Sequence, residues 1–127
     1  MSHLVISGLA QLAYVVSDVP QAVAFFRQLG LPLLFQPSPQ LAFMAVGDVR
    51  LMLTPPQGAG TLGQNSVLYL RCEAIEQQYQ QLQAAGIVTE RAPQCVAQLA
   101  GHDLWLAFFR DPDGNLLALL EEKLTKT

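Results

Sequence analysis

The sequence predicts an α+β fold of two βαβββ modules, and three observations predict it. An apolar strand, an amphipathic helix closed by glycine and three short strands occur in that order twice. Laying Gly30 on Gly86, a shift of 56 residues, also lays Asp18 on Ala74, Val19 on Ile75, Val23 on Tyr79, Phe26 on Leu82 and Leu31 on Ile87. A shift of 66 lays Leu51, Met52 and Leu53 on Leu117, Ala118 and Leu119. One helix and four strands make a thin core, so the two halves are expected to complete each other within a single domain over residues 1–127.

Each element has a local reason. Leu9–Val16 is apolar and ends β-branched, as a strand does. Ser17-Asp18-Val19-Pro20 follows with N-cap side chains and a first-turn proline. Val19, Ala22, Val23, Phe26 and Leu29 then recur at helical steps, and Gly30 supplies the left-handed stop. Leu33–Phe35, Leu41–Val46 and Arg50–Thr54 read as strands, with Gly47-Asp48 as the tight turn before the last. These complete module one, about residues 9–54. Pro55–Asn65, with Pro55, Pro56, Gly58, Gly60 and Gly63, is a linker. Module two, about residues 66–122, opens with a strand at Ser66–Arg71. A helix over Ala74–Ala85 presents Ile75, Tyr79 and Leu82 and ends at Gly86; its glutamines form a solvated face. Strands at Ile87–Arg91, Leu104–Arg110 and Leu116–Glu122 close the module, with Asp111–Gly114 as the last turn.

Composition excludes several function classes. The 127 residues are 51% hydrophobic and 13% charged, enough apolar material for a packed core and too little charge for disorder. Net charge is −3 with no run of Lys or Arg, so no nucleic-acid partner is expected. Apolar runs such as Leu116–Leu120 are far too short for a membrane span, and Met1-Ser2-His3 opens no signal sequence. A cytoplasmic location follows as the expectation. Cys72 and Cys95 belong to no CxxC or Cys/His cluster and read as free thiols.

Three runs carry a family resemblance over nearly the whole chain. They are Gln11-Leu-Ala-Tyr-Val-Val-Ser-Asp18, Phe25-Phe-Arg-Gln-Leu-Gly-Leu31, and Phe109-Arg-Asp-Pro-Asp-Gly-Asn-Leu116. With the duplicated module, they make the chain resemble the vicinal oxygen chelate superfamily, which includes glyoxalase I, ring-cleaving dioxygenases and bleomycin-resistance proteins. The resemblance implies an open, curved mixed sheet, a cup that holds a ligand or a metal, with helices on its outer face. It also implies a homodimer, with modules paired within one chain or exchanged between chains.

In metal-dependent members a divalent ion is held from four symmetric strand positions. The resemblance places these at Gln11, Met52, Val67 and Ala118. Zinc, magnesium or manganese requires at least three oxygen or imidazole donors from the protein. This set offers one amide oxygen, one soft thioether and two hydrocarbons, so no metal and no cofactor is expected. Glu122 shares the strand face of Ala118 but lies about 13 Å farther along.

Alternation along the strands supplies the rest of the cup. Gln11 brings Ala13, Met52 brings Arg50 and Thr54, Val67 brings Tyr69 and Arg71, and Ala118 brings Leu116 and Leu120. The candidate ligand-binding residues are therefore Gln11, Ala13, Arg50, Met52, Val67, Tyr69 and Ala118, with Trp105 as a stacking wall. Arg50 and Arg71 either orient an acidic ligand or reach solvent from strand ends, and Met52 is either a ligand contact or core filler. His102, in the segment before a buried strand, is either a polar anchor, a general base or a plain loop residue. Ala118→Glu is expected to block the cup and leave the fold intact. Three functions remain open: a metal-free binder of a small, partly apolar organic ligand; a metal-dependent glyoxalase-like lyase, isomerase or dioxygenase; and an interaction module with no small ligand.

Overall fold

The computed structural model describes residues 3–57 and 60–125; Gly58 of the linker and Met1 and Ser2 of the tail lie outside the described residues. The chain forms two compact units that divide between Thr61 and Leu62, inside the expected linker. Each unit is a βαβββ module with its own four-stranded mixed sheet.

Module one consists of β1 (Gln11–Val15), α1 (Val19–Gln28), β2 (Leu33–Ser38), β3 (Leu41–Val46) and β4 (Val49–Thr54), with strand order β1-β4-β3-β2. Helix α1 starts where the sequence places it. Asp18 Oδ1 accepts from the Gln21 amide at 3.0 Å, Pro20 lies in the first turn, and Gly30 follows the helix at φ +92°. β1 and β4 pair in parallel, with Ala13 opposite Met52 and Tyr14 opposite Leu53. A parallel pair needs a crossover, and α1 begins it. The helix covers one face only. On that face Tyr14, Met44, Leu51, Leu53 and Phe26 are buried, and the rings of Tyr14 and Phe26 meet edge to face at 5.4 Å.

Module two repeats the arrangement with β5 (Leu68–Arg71), α2 (Ile75–Ala84), β6 (Thr89–Leu99), β7 (His102–Arg110) and β8 (Leu116–Leu124), in the order β5-β8-β7-β6. Its core is Ile75, Leu82, Ala107, Phe109, Leu117 and Leu119. The start of α2 differs from that of α1. Ala74, the repeat partner of Asp18, has no side-chain acceptor and stands at φ 53°, ψ 57°. The cap comes from β8 instead. Glu121 accepts from the Ala74 amide at 3.1 Å and the Ile75 amide at 2.9 Å, placing a carboxylate at the helix N-terminus.

Several boundaries differ from the sequence expectation: β1 begins at Gln11 and not Leu9, and β2 runs to Ser38 beyond Phe35. β5 begins at Leu68, so Val67 lies just before the strand. β8 runs two residues beyond Glu122. The hairpin of β6 and β7 is much longer than expected: residues 92–99 continue β6, and His102 and Asp103 open β7, with Ala100-Gly101 as the turn. Polar Gln94 and Gln98 and the proline at 93 concealed β6. It is an edge strand, where outward polar residues and a missing amide are tolerated, and its register shifts between Arg91 and Gln94. His102 is therefore a strand residue, paired with Leu99 and Leu124.

The Asp111–Asn115 turn is a buried polar network. Asp111 Oδ1 accepts from the amides of Asp113 and Asn115 at 2.9 and 2.8 Å, and its Oδ2 from Asn115 Nδ2 at 2.8 Å. Asn115 Oδ1 in turn accepts from the backbone and side-chain amides of Asn65, both at 3.0 Å. The motif thus ties the end of the linker to the start of β8. Among the described residues no helix is long and apolar enough to cross a membrane. Cys72 and Cys95 are free thiols.

Two outcomes are expected. Asp111→Ala leaves three donors without their acceptor and should lower unfolding free energy by about 2–3 kcal/mol, read as a lower urea midpoint at unchanged slope. Burial, reinforced by Glu121 and then Glu76, pushes the Cys72 thiol up to about 11. Since the thiolate is the nucleophile, exposed Cys95 should react first with a disulfide reagent at neutral pH. In a Cys95→Ser variant, the slow reaction of Cys72 should accelerate as pH rises toward 11.

Candidate functional site

The face of each sheet that its own helix leaves free carries a cross-strand row of side chains. In module one the row is Ala13 (β1), Met52 (β4), Phe43 (β3) and Phe35 (β2). In module two it is Tyr69 (β5), Ala118 (β8), Phe108 (β7) and Arg91 (β6). The rows are repeat-related, position by position. Four strands contribute one residue each because in-register partners project to the same side.

Module one presents a flat aromatic shelf. The rings of Phe35 and Phe43 stack at 4.5 Å and 22°. The Arg50 guanidinium, one step along β4 from this row, stands 5.9 Å from the Phe43 centroid. Gln11 lies on the same face, its Nε2 3.7 Å from Met52 Sδ. The expected residues Gln11, Ala13, Arg50 and Met52 therefore come together. Thr54 continues the face but is buried, its hydroxyl donating to the Pro55 carbonyl at 3.0 Å.

Module two brings together Tyr69 and Ala118 and leaves two expected residues aside. Tyr69 and Phe108 meet edge to face at 6.3 Å across Ala118, whose methyl is fully buried. Trp105 pairs with Glu121, the residue that caps α2, and so belongs to the helix-side face, opposite Ala118. Its ring lies 4.3 Å from Lys123 Nζ, and Lys123 is bonded to Glu76 of α2. Trp105 is a packing residue of that face, and the expected stacking wall is corrected accordingly. Val67 precedes the strand register and makes no rung of the row. Farther along β8, Glu122 stands 3.4 Å from His102 Nε2 and 4.0 Å from Arg71.

These positions do not suit a divalent metal. Of the four positions that the resemblance marks, those in module one are the Gln11 amide and the Met52 thioether, and those in module two the hydrocarbons of Val67 and Ala118. Only one hard donor is present. Among the described residues no three of His, Cys, Asp and Glu gather elsewhere.

Phe35, Phe43, Phe108 and Arg91 were not among the sequence candidates. Two of them had a readable signal. A two-residue turn at Gly47-Asp48 sets Val46 opposite Val49, and counting back along the hairpin sets Phe43 opposite Met52. The same count across the Asp111–Asn115 turn sets Phe108 opposite Ala118. Phe35 and Arg91 had none, because a β-bulge precedes each: Leu33 faces Met44 while Phe35 faces Phe43, and Thr89 faces Phe109 while Arg91 faces Phe108.

The model of the Glyoxalase/Bleomycin resistance protein/Dioxygenase superfamily matches residues 8–119. No curated protein matches the chain. Among solved structures, a superfamily member from Sphaerobacter thermophilus is 23% identical with a TM-score of 0.74, covering 94% of this chain and 100% of that one. A virulence protein from Salmonella typhimurium is 21% identical (TM-score 0.74), covering 93% and 98%. A lactoylglutathione lyase from Agrobacterium tumefaciens is 24% identical (TM-score 0.70), covering 91% and 94%.

The burial of Ala118 corrects one expectation. Ala118→Glu would force a carboxylate into the closed space between Tyr69 and Phe108, so the fold should not remain intact. A loss of roughly 3 kcal/mol or more is expected in urea unfolding. A wild-type midpoint would show that this row is open.

Proposed function

The chain belongs to the Glyoxalase/Bleomycin resistance protein/Dioxygenase superfamily, and from that membership we propose that it binds a small, partly apolar organic ligand without a metal ion. One feature supports the reading: the four positions that the family resemblance marks for a metal carry Gln11, Met52, Val67 and Ala118, a set with one hard donor.

The ligand's chemistry follows from module one. Phe35 and Phe43 offer a flat surface, Arg50 a fixed cation beside it, and Gln11 an amide. A flat body gains burial against the rings, and an acidic group pairs with the guanidinium. Tyr69 of module two, half exposed, offers a phenol on that module's own sheet. The protein acts in the cytoplasm as a homodimer. Leu4, Val5 and Ile6, 92%, 88% and 83% exposed ahead of edge strand β1, support a second copy as their cover.

A second reading, a metal-dependent lyase, isomerase or dioxygenase, is favoured by the lactoylglutathione lyase among the similar structures. Metal content separates the two. The first reading expects substoichiometric zinc, nickel, iron and manganese in purified protein and an unchanged melting temperature in EDTA; a tightly held equivalent of divalent metal supports the second. Thermal-shift screening of aromatic acids should find a stabilising ligand. Arg50→Ala should weaken it by ~1.5–3 kcal/mol while sparing its uncharged analogues. Light scattering should return twice the 13.8 kDa chain mass.

A further inference from the structure

Module two holds a cleft of about 390 Å³ lined by Glu90, Arg91, Phe108, Arg110 and Leu116. It lies on the helix-free face, since Phe108 pairs with Ala118 and Arg110 with Leu116. The two arginines are in different electrostatic states. Arg110 is committed: its Nε donates to Glu90 Oε2 at 2.6 Å, its Nη2 also pairs with that carboxylate, and its Nη1 donates to the Gly114 carbonyl at 3.0 Å. Arg91 has no carboxylate partner among the described residues. Its guanidinium stands 5.7 Å from the Phe108 centroid.

The β-bulge at Glu90 produces this division. The extra residue between Thr89 and Arg91 lets consecutive side chains both serve the cleft, Glu90 toward Arg110 and Arg91 toward Phe108. Two guanidiniums and one carboxylate leave the cleft a single positive charge. That charge belongs to Arg91. A guanidinium against an aromatic ring keeps its N–H fork available for a carboxylate. Leu116 and the Phe108 ring, with Tyr69 at the ring's edge, give the apolar surface a flat body requires.

We propose that this cleft of module two is a binding site for planar monocarboxylates, with Arg91 forking the carboxylate and Phe108 and Leu116 contacting the flat body. It is the counterpart in module two of the Arg50–Phe43 shelf, reached by a different residue. In module one the cation comes from β4, whereas the residue after the bulge is Phe35; in module two that residue is the cation and the β4-equivalent position is Leu116. The proposal goes beyond the function assigned above and does not depend on Arg50.

Calorimetric titration of the full chain with 2-naphthoate and with uncharged 2-naphthamide tests it. Naphthoate should bind, and naphthamide at least about tenfold more weakly, as loss of a charge-assisted hydrogen bond predicts. Arg91→Ala should remove one naphthoate equivalent or weaken its binding by a similar factor, with wild-type circular dichroism and melting temperature. Arg91→Lys, which cannot fork a carboxylate, should recover only part of the loss. Arg50→Ala should leave this equivalent in place, so failure of the module-one site and failure of this one remain distinguishable. Unchanged naphthoate binding in Arg91→Ala, equal affinity for the amide, or no naphthoate binding at millimolar concentration would each overturn the assignment.

Discussion

Parallel, in-register pairing of the first strand of each module with its last is the constraint on which the rest depends. It forces a crossover through a helix, and the helix covers one face of the sheet. Alternation then divides each strand between two tasks. Tyr14, Leu51, Leu53, Leu117 and Leu119 go under the helices as core. Their neighbours Ala13, Met52, Tyr69 and Ala118 go to the other face and form the candidate site. Moving either strand by one residue would exchange core and site, so the site's composition is protected by the same burial that stabilises the fold.

Within that shared frame the modules solve the same local problems with different residues. The first helix is capped by its own Asp18; the second borrows Glu121 from a distant strand. A rung position filled by Met52 in one module is Ala118 in the other, and the smaller side chain lets Tyr69 and Phe108 meet above it. After equivalent bulges, one module places a ring and the other a guanidinium. The motif most recognisable in the sequence, Asp-Pro-Asp-Gly-Asn, touches this chemistry only through the Gly114 carbonyl that holds Arg110. Its buried carboxylate and amide satisfy backbone donors that would otherwise be stranded in the turn and the linker.

The sequence by itself determined what depends on neighbours a few residues apart. Helix faces repeat every three or four residues, so Val19, Ala22, Val23 and Phe26 identified α1, and Ile75 and Leu82 identified α2. Capping and turn chemistry at Asp18, Gly30, Gly47-Asp48 and Gly86 marked where elements stop. Duplication of this order revealed two modules, and the family resemblance then marked Gln11, Met52, Val67 and Ala118 as the metal positions. No tertiary information was needed to see that Val67 and Ala118 cannot ligate an ion. Tertiary structure alone decided matters of register between distant strands. The proline and glutamines of β6 carry no strand periodicity, and pairing along an edge with bulges makes them one. Trp105, by contrast, was legible: it stands three residues from Phe108 on an unbulged β7 and so faces away from Ala118. Arg91 carries the uncompensated charge because Glu90, bulged beside it, turns to Arg110. A bulge shifts side-chain parity without a local sequence signal, so which arginine is neutralised and which remains available is settled only when the strands pair.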